Sequence, residues 1–390
     1  MSELQRSFAR AKLAGLPFEP PIPINDLSDE EDQDGLDELR PLPERSSLDD
    51  DSSSASSASS ASSTGTIRPS PKLYFKTHRP HETVTYHVYV LPPEEKGPLL
   101  VTHHGAGSSG LSFALFASEI RKIIPKCGIL SLDARGHGET SVIRTEPEVE
   151  DENIHLTLEI LSQDLLEVIH LTQKHIGWPQ LPDLVLIGHS LGGAVVTDLA
   201  LSGRLGAALL GYAVLDVVEG SAIDALQSMQ QYLLKRPNSF TSTQAAIEWH
   251  IRSRTIRSQT SARISVPSLL RQVSTSSTSG SGPNTTSFVW RTNLSETERY
   301  WSEWFTGLSS KFLSAKGGKL LILAGTDRLD KELMIGQMQG KYQLQVFPEA
   351  GHFVHEDCAA KTAQVMAEFV RRNDRSGLVL PPKVGDMLKA

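Results

Sequence analysis

One short motif constrains this chain more than any other feature. Gly188–Gly192 (sequence GHSLG) directly follows the apolar run Leu184–Ile187 and leads into a helix-compatible stretch that reaches Leu201. Glycines around a serine at a strand-to-helix turn let the chain turn sharply and project the hydroxyl above the sheet. Without that context the pattern is a common chance match, but with it the motif predicts that Ser190 is a catalytic nucleophile.

Short apolar runs alternate with helical segments along most of the chain. The strand-like runs are Val84–Leu91, Pro98–Thr102, Gly128–Leu132, Asp183–Gly188, Leu209–Leu215, Lys319–Ala324 and Gln343–Phe347, and the helical ones are Leu156–His175, Leu191–Leu201 and Ala359–Arg372. This alternation predicts an α/β fold with a mostly parallel central sheet flanked by helices. Together with the serine turn, it predicts an α/β-hydrolase fold.

Other segments depart from this alternation of strands and helices. Gly220–Arg263 is continuously compatible with helix and predicts a helical lid, and the Ser/Thr/Gly-rich Ser274–Thr286 predicts a mobile loop. The stretch from Pro17 to Pro71 is rich in proline, acids and serine, a composition typical of disorder. We therefore expect a disordered N-terminal segment over 1–71, a hydrolase domain over 72–375 and a C-terminal tail over 376–390.

The net negative charge of the chain comes from one segment. The net charge is −8, yet the stretch from Asp26 to Asp51 holds twelve acidic and two basic residues, so the remainder is close to neutral. A nucleic-acid partner is not expected, because such proteins carry a basic face or stripe. The acidic segment is interpreted as a solvated tail, with a docking or phosphorylation segment as the alternative.

Several signals bear on compartment and cofactors. Cys127 and Cys358 have no metal or redox spacing, the first 16 residues lack an apolar signal core, and no uncharged apolar run approaches membrane-spanning length. We expect a cytoplasmic or nuclear protein that is neither secreted nor membrane-bound. The histidine pairs 103/104 and 352/355 lack a third metal ligand, and no cofactor motif is present, so no metal or cofactor is expected.

A serine nucleophile needs a base oriented by an acid, and in this fold the base follows the last strand. His352 follows Gln343–Phe347 and is the predicted base, with His355 as the only local rival. Asp216 and Asp327 each come directly after a strand, at the sheet edge where ligands bind. The pattern alone does not decide between these two acids.

The tetrahedral intermediate needs two backbone N–H donors. One comes from the residue after the nucleophile, Leu191, and the other from a loop after an early strand. The run Leu99–Thr102 leads into a small-residue loop, His103–Gly107, in which the N–H of Ala106 is the candidate. The later loop Asp133–Gly138 is interpreted as structural, closing the pocket.

Several runs extend well beyond the candidate catalytic positions: Leu215–Leu226, Ile247–Trp249, Tyr300–Leu308, Leu323–Asp330, Ile335–Lys341 and Gly351–Asp357. These runs resemble the protein phosphatase methylesterases. The resemblance implies a serine esterase that hydrolyses the carboxyl-terminal leucine methyl ester of the protein phosphatase 2A catalytic subunit, releasing methanol without a cofactor. It also implies that this subunit is the partner and that Ser190, Asp216 and His352 form the triad, with Asp327 structural.

Two other functions fit the same residues. The first is a small-molecule carboxylesterase or lipase that uses the same triad, which a wide apolar lid would favour. The second is a non-catalytic protein that binds and sequesters inactive phosphatase.

Overall fold

The apolar runs form a large central sheet in the computed structural model, which describes residues 73–144, 155–275, 285–325 and 329–374. The strands are β1 (Leu73–Arg79), β2 (Glu82–Leu91), β3 (Leu99–His103), β4 (Gly128–Leu132), β5 (Ser141–Arg144), β6 (Leu184–His189), β7 (Leu209–Leu215), β8 (Ser239–Phe240), β9 (Leu270–Thr275), β10 (Thr285–Trp290), β11 (Gly318–Leu323) and β12 (Gln343–Val346). The helices are α1 (Ala114–Ile123), α2 (Leu158–Ile176), α3 (Leu191–Ser202), α4 (Glu219–Lys235), α5 (Thr243–Arg252), α6 (Gln259–Ser265), α7 (Glu298–Phe305), α8 (Leu308–Ser314), α9 (Lys331–Met338), α10 (Val354–Asp357) and α11 (Ala359–Asn373).

Some predictions fall outside these ranges. They concern the N-terminal segment 1–71, the tail 376–390, Asp327 and most of the Ser274–Thr286 loop, of which the structure describes only the two strand ends.

The central sheet is mostly parallel. Its strand order is β1-β2-β4-β3-β6-β7-β11-β12, with β5 pairing to β2. The run from β4 to β12 is parallel, whereas β1, β2 and β5 pair antiparallel at one side. Parallel neighbours end at the same edge, so the residues that follow β3, β6, β7, β11 and β12 gather there.

Helices cover both faces of this sheet. Every residue of β3, β4, β6 and β7 is buried, which is why these strands are continuous apolar runs rather than alternating ones. On one face, α2 and α3 pack over a core that includes Leu165, Val195 and Tyr212. On the other, α1 and α11 cover a second core around Phe116 and Phe369. The predicted α/β-hydrolase architecture is therefore confirmed.

The lid region has a small core of its own. Strands β8, β10 and β9 form a three-stranded antiparallel sheet, and Phe240, Ala246, Ile256, Ala262 and Val266 pack together with Trp249 and Trp290 around it. The segment read as continuously helix-compatible holds three helices, α4 to α6, and the short strand β8. Helix α4 ends because Pro237 disfavours helical geometry at the preceding residue, and Arg236 accordingly has an extended ψ of 133°.

None of the helices in the described ranges is both long and apolar enough to cross a membrane.

Candidate active site

Ser190 stands at the sharp turn between β6 and α3. Its φ of 51° and ψ of −120° are strained for a residue with a side chain, and the turn is closed by the Gly193 N–H donating to the Ser190 carbonyl at 2.7 Å. The neighbouring glycines are needed for close approach. A Cβ on Gly188 would lie 2.0 Å from the Gly192 carbonyl oxygen, and one on Gly192 would lie 2.1 Å from the His103 carbonyl oxygen.

Asp216 follows β7 and is fixed from the adjacent strand. Its N–H donates to the Ile322 carbonyl at 2.8 Å, and its Oδ1 accepts the Ala324 N–H at 2.8 Å. Its Oδ2 accepts a hydrogen bond from His352 Nδ1, also at 2.8 Å, and its side chain is fully buried. The structure thus brings Asp216 and His352 together, whereas Asp327 lies outside the described residues.

His352 lies on the loop after β12, and its backbone is hydrogen-bonded to the turn that carries Ser190. Nε2 of His189, the residue before Ser190, donates to the His352 carbonyl at 2.9 Å, and the two rings lie 4.7 Å apart. Because Nδ1 of His352 donates to a carboxylate, Nε2 is the nitrogen that carries a lone pair. The His352 side chain is 46% exposed, so it is accessible to a substrate.

The rival histidine occupies a different environment. His355 is completely buried and its ring stacks on Phe113 at 4.2 Å. Burial lowers its pKa to about 3, so it remains a neutral core residue at physiological pH. Of the two candidates, His352 is therefore the histidine that is accessible to a substrate.

Two buried histidines shape the loop that carries Ala106. The Gly107 N–H donates to His137 Nε2, and the Ala134 N–H donates to His104 Nε2, both at 2.9 Å. Accepting these bonds requires neutral rings, and burial lowers the pKa of both histidines. The interpretation of the 133–138 loop as structural gains a physical basis: it holds the Ala106 loop in place.

Leu191 begins α3, where the first N–H groups have no intrahelical partner. Ala106 and Ser190 line the same cavity, which has a volume of about 430 Å³ and also contains His352. Most of its wall is apolar and comes from the lid and from α7: Leu226, Met229, Trp290, Trp301, Trp304 and Phe305. The cavity therefore places Ser190, His352 and the Ala106 loop beside a hydrophobic wall.

Glu356 is a cavity residue that sequence reasoning missed. It is 1% exposed, and its Oε2 accepts the hydroxyls of Ser261 and Ser265 at 2.8 and 2.6 Å. Burial raises its pKa to about 7. No local pattern marks it, because its burial depends on how α6 of the lid packs against α10.

Comparison with known proteins agrees with this architecture. A model of the alpha/beta hydrolase family matches residues 99–365. The chain is 55% identical over 405 residues to protein phosphatase methylesterase 1 of Aspergillus oryzae, covering 99% of this chain and 93% of the relative. The Gibberella zeae protein of the same name is 55% identical over 418 residues, covering 100% and 99%. The Schizosaccharomyces pombe protein is 46% identical over 302 residues, covering 77% and 82%.

The chain belongs to the protein phosphatase methylesterase family. The resemblance inferred from sequence is thereby confirmed, as is the prediction of a hydrolase of the esterase type. Among solved structures the chain is similar to E-2-(acetamidomethylene)succinate hydrolase, with a TM-score of 0.54 and 17% identity, covering 77% of this chain and 100% of that one. At that identity the likeness concerns the fold alone.

Proposed function

We propose that this protein is a serine esterase that hydrolyses the carboxyl-terminal leucine methyl ester of the protein phosphatase 2A catalytic subunit. The observation that carries the proposal is the hydrogen bond between Asp216 and His352 beside a cavity that Ser190 also lines. Membership of a family whose relatives are named protein phosphatase methylesterase 1 supports the choice of a protein methyl ester as substrate.

In the first half-reaction, Ser190 Oγ attacks the ester carbonyl carbon while His352 Nε2 takes the hydroxyl proton. The buried Asp216 carboxylate stabilises the imidazolium that forms. The N–H groups of Leu191 and Ala106 bind the developing oxyanion, and loss of one such donor typically costs about 10²–10³ in turnover. As the tetrahedral intermediate collapses, the C–O bond to the methoxy group breaks and His352 protonates it, so methanol leaves.

In the second half-reaction, water replaces methanol at the acyl-enzyme. His352 takes a proton from the water, whose oxygen attacks the acyl carbon. The bond to Ser190 Oγ then breaks and the serine recovers its proton. The product is a peptide with an ionised carboxyl terminus, and no cofactor takes part in either step.

The apolar lining of the cavity supports an esterified apolar residue as its occupant. Trp301, Trp304 and Phe305 of α7 and Leu226 of α4 supply an apolar wall within a volume of about 430 Å³. A leucine side chain placed there would be removed from water, at roughly 25 cal/mol per Å² of buried apolar surface.

The decisive experiment incubates the full-length protein with carboxymethylated phosphatase catalytic subunit and measures methanol release. Wild-type protein is expected to release stoichiometric methanol, and Ser190→Ala to release none. Failure of the wild type to act on the phosphatase, together with rapid hydrolysis of simple esters, would support a small-molecule carboxylesterase instead. Full phosphatase inhibition by Ser190→Ala in cells would support the sequestering function.

We also propose the domain organisation expected from sequence, with a catalytic domain over 72–375 between two tails, and action in the cytoplasm or nucleus. The cysteines support the compartment. Cys127 is buried, Cys358 is half-buried, and neither forms a disulfide, as expected in a reducing environment.

A further inference from the structure

An arginine of the lid faces the cavity that holds Ser190. Arg236 comes directly after α4 and lines this cavity. Its guanidinium carbon lies 4.1 Å from the ring centroid of Trp290, and the indole N–H of Trp290 donates to the Pro237 carbonyl at 2.7 Å. The aromatic ring is thus fixed to the backbone beside Arg236, and a cation over such a ring is held in place.

The charge of Arg236 has no counter-ion in the described part of the chain. Among the described residues, no carboxylate lies within 4.0 Å of its guanidinium and no side chain or backbone group accepts a hydrogen bond from it. Arg135 shows the contrast, since it is 1% exposed and forms ion pairs with Glu82 and Asp164. Arg236 is half-buried, and partial desolvation lowers its pKa.

The neighbours of Arg236 add no compensating charge. The ring of His250 lies 5.6 Å from that of Trp290, and burial lowers the pKa of His250 to about 4, so the ring is neutral at physiological pH. The buried Glu356 also lines the cavity, but its Oε2 is already bonded to Ser261 and Ser265. A partly desolvated guanidinium that lacks a partner is costly to keep unless a ligand supplies an anion.

We propose that Arg236 binds a side-chain carboxylate of the substrate, carried by one of the residues that precede the esterified one. This inference rests on the proposed function, in which a peptide methyl ester enters the cavity. A methyl ester is neutral, so the scissile end itself offers no charge to a guanidinium. The anion must come from further along the peptide. Arg236 is then a specificity-determining residue that selects acidic peptide ends and takes no part in the chemistry.

The test compares synthetic peptides that end in leucine methyl ester. One set carries a single glutamate at the first, second or third position before the ester, and the matched set carries glutamine there. Hydrogen bonds to charged groups contribute about 1.5–3 kcal/mol, so the full-length wild-type protein should prefer one glutamate peptide by about 10- to 100-fold in kcat/KM. The preference should appear in KM and weaken as salt is added.

Three variants complete the design. In Arg236→Gln the glutamate-to-glutamine ratio of kcat/KM should fall to about 1, whereas Arg236→Lys should retain part of it, because lysine keeps the charge but not the planar fork. Arg252→Gln is the matched control, since it removes one positive charge from the same lid at a side chain that is 82% exposed. It should keep the wild-type ratio.

The outcomes distinguish the role of Arg236 from the proposed function. Hydrolysis of both peptide sets at equal rates by the wild type, or an unchanged preference in both Arg236 variants, would overturn the role of Arg236 and leave the proposed function standing. If the wild type released no methanol from any of the peptides or from the methylated phosphatase, the proposed function would fall and the role of Arg236 with it.

Discussion

Replacing Asp216 by asparagine tests the acid assignment with almost no change in shape. In the structure Oδ1 accepts the Ala324 N–H and Oδ2 accepts His352 Nδ1–H, each at 2.8 Å. An asparagine has only one acceptor oxygen, so it cannot satisfy both donors. The Ala324 N–H is a backbone donor that cannot change, so the amide NH₂ should turn towards His352.

That orientation reverses the hydrogen bond to the histidine. The amide NH₂ would donate to His352 Nδ1, which must then carry the lone pair, and the proton moves to Nε2. A histidine protonated at Nε2 cannot accept the proton of Ser190. Where an acid of this kind has been replaced by asparagine in a serine protease, turnover falls by about 10⁴. We expect a loss of kcat of that order for Asp216→Asn, with KM little changed.

Methanol release from a leucine methyl ester peptide is the appropriate assay, with the urea midpoint measured alongside. Asp216→Asn should stay folded and still expose Ser190. Asp327→Asn is the matched control, because the sequence pattern left that residue open as the acid, and it should keep activity within a few-fold of the wild type. A greater loss in Asp327→Asn than in Asp216→Asn would refute the assignment.

Three further predictions follow from the structure. Gly192→Ala places a Cβ 2.1 Å from the His103 carbonyl oxygen, so it should lower the free energy of unfolding by about 1–3 kcal/mol and reduce turnover. In Gly220→Ala the nearest atom to the new Cβ is 3.7 Å away, so urea titrations and methanol assays should show wild-type stability and turnover. The pKa of Glu356 is raised from 4.5 to about 7, so the unfolded chain releases this proton first as pH rises. The wild type should therefore lose about 3 kcal/mol of stability across that interval that Glu356→Gln keeps, and an equal change in urea midpoint between pH 4 and pH 8 for the two proteins would contradict this. Deletion of residues 26–63 should leave kcat/KM for a peptide methyl ester unchanged, and a tenfold fall would show that the acidic segment contributes to catalysis.

Much of the central sheet could be predicted from sequence because its strands are buried on both faces. The runs at 98–102, 128–132 and 209–215 match β3, β4 and β7 to within one residue at each end. Their continuous apolar character follows directly from burial under helices on either side. The strand β1, by contrast, alternates in burial at the antiparallel side of the sheet and carries polar residues, so it was not predicted.

The lid was harder to predict because its structure depends on packing between distant segments. Strands β8 and β10 pair although about fifty residues separate them, with Phe288 opposite Phe240, and no local periodicity indicates that pairing.

The local sequence pattern also left the choice of the acid open. Asp216 and Asp327 follow the adjacent strands β7 and β11, so both positions satisfy the rule, and among the described residues the hydrogen bond to His352 favours Asp216.

Four described non-glycine residues have a positive φ, and two of them, Ser190 and Asp216, have a consequence for refolding. Ser190 and Asp216 both have a φ of 51°, and the Ser190 N–H donates to the Leu215 carbonyl while the Asp216 N–H donates to the Ile322 carbonyl. Each unusual conformation is therefore tied by a backbone hydrogen bond to the next strand of the sheet. Since strain of this kind persists only where surrounding structure enforces it, esterase activity should return after helical circular dichroism does when the denatured protein refolds. Recovery of esterase activity then indicates that strands β6, β7 and β11 have paired with one another.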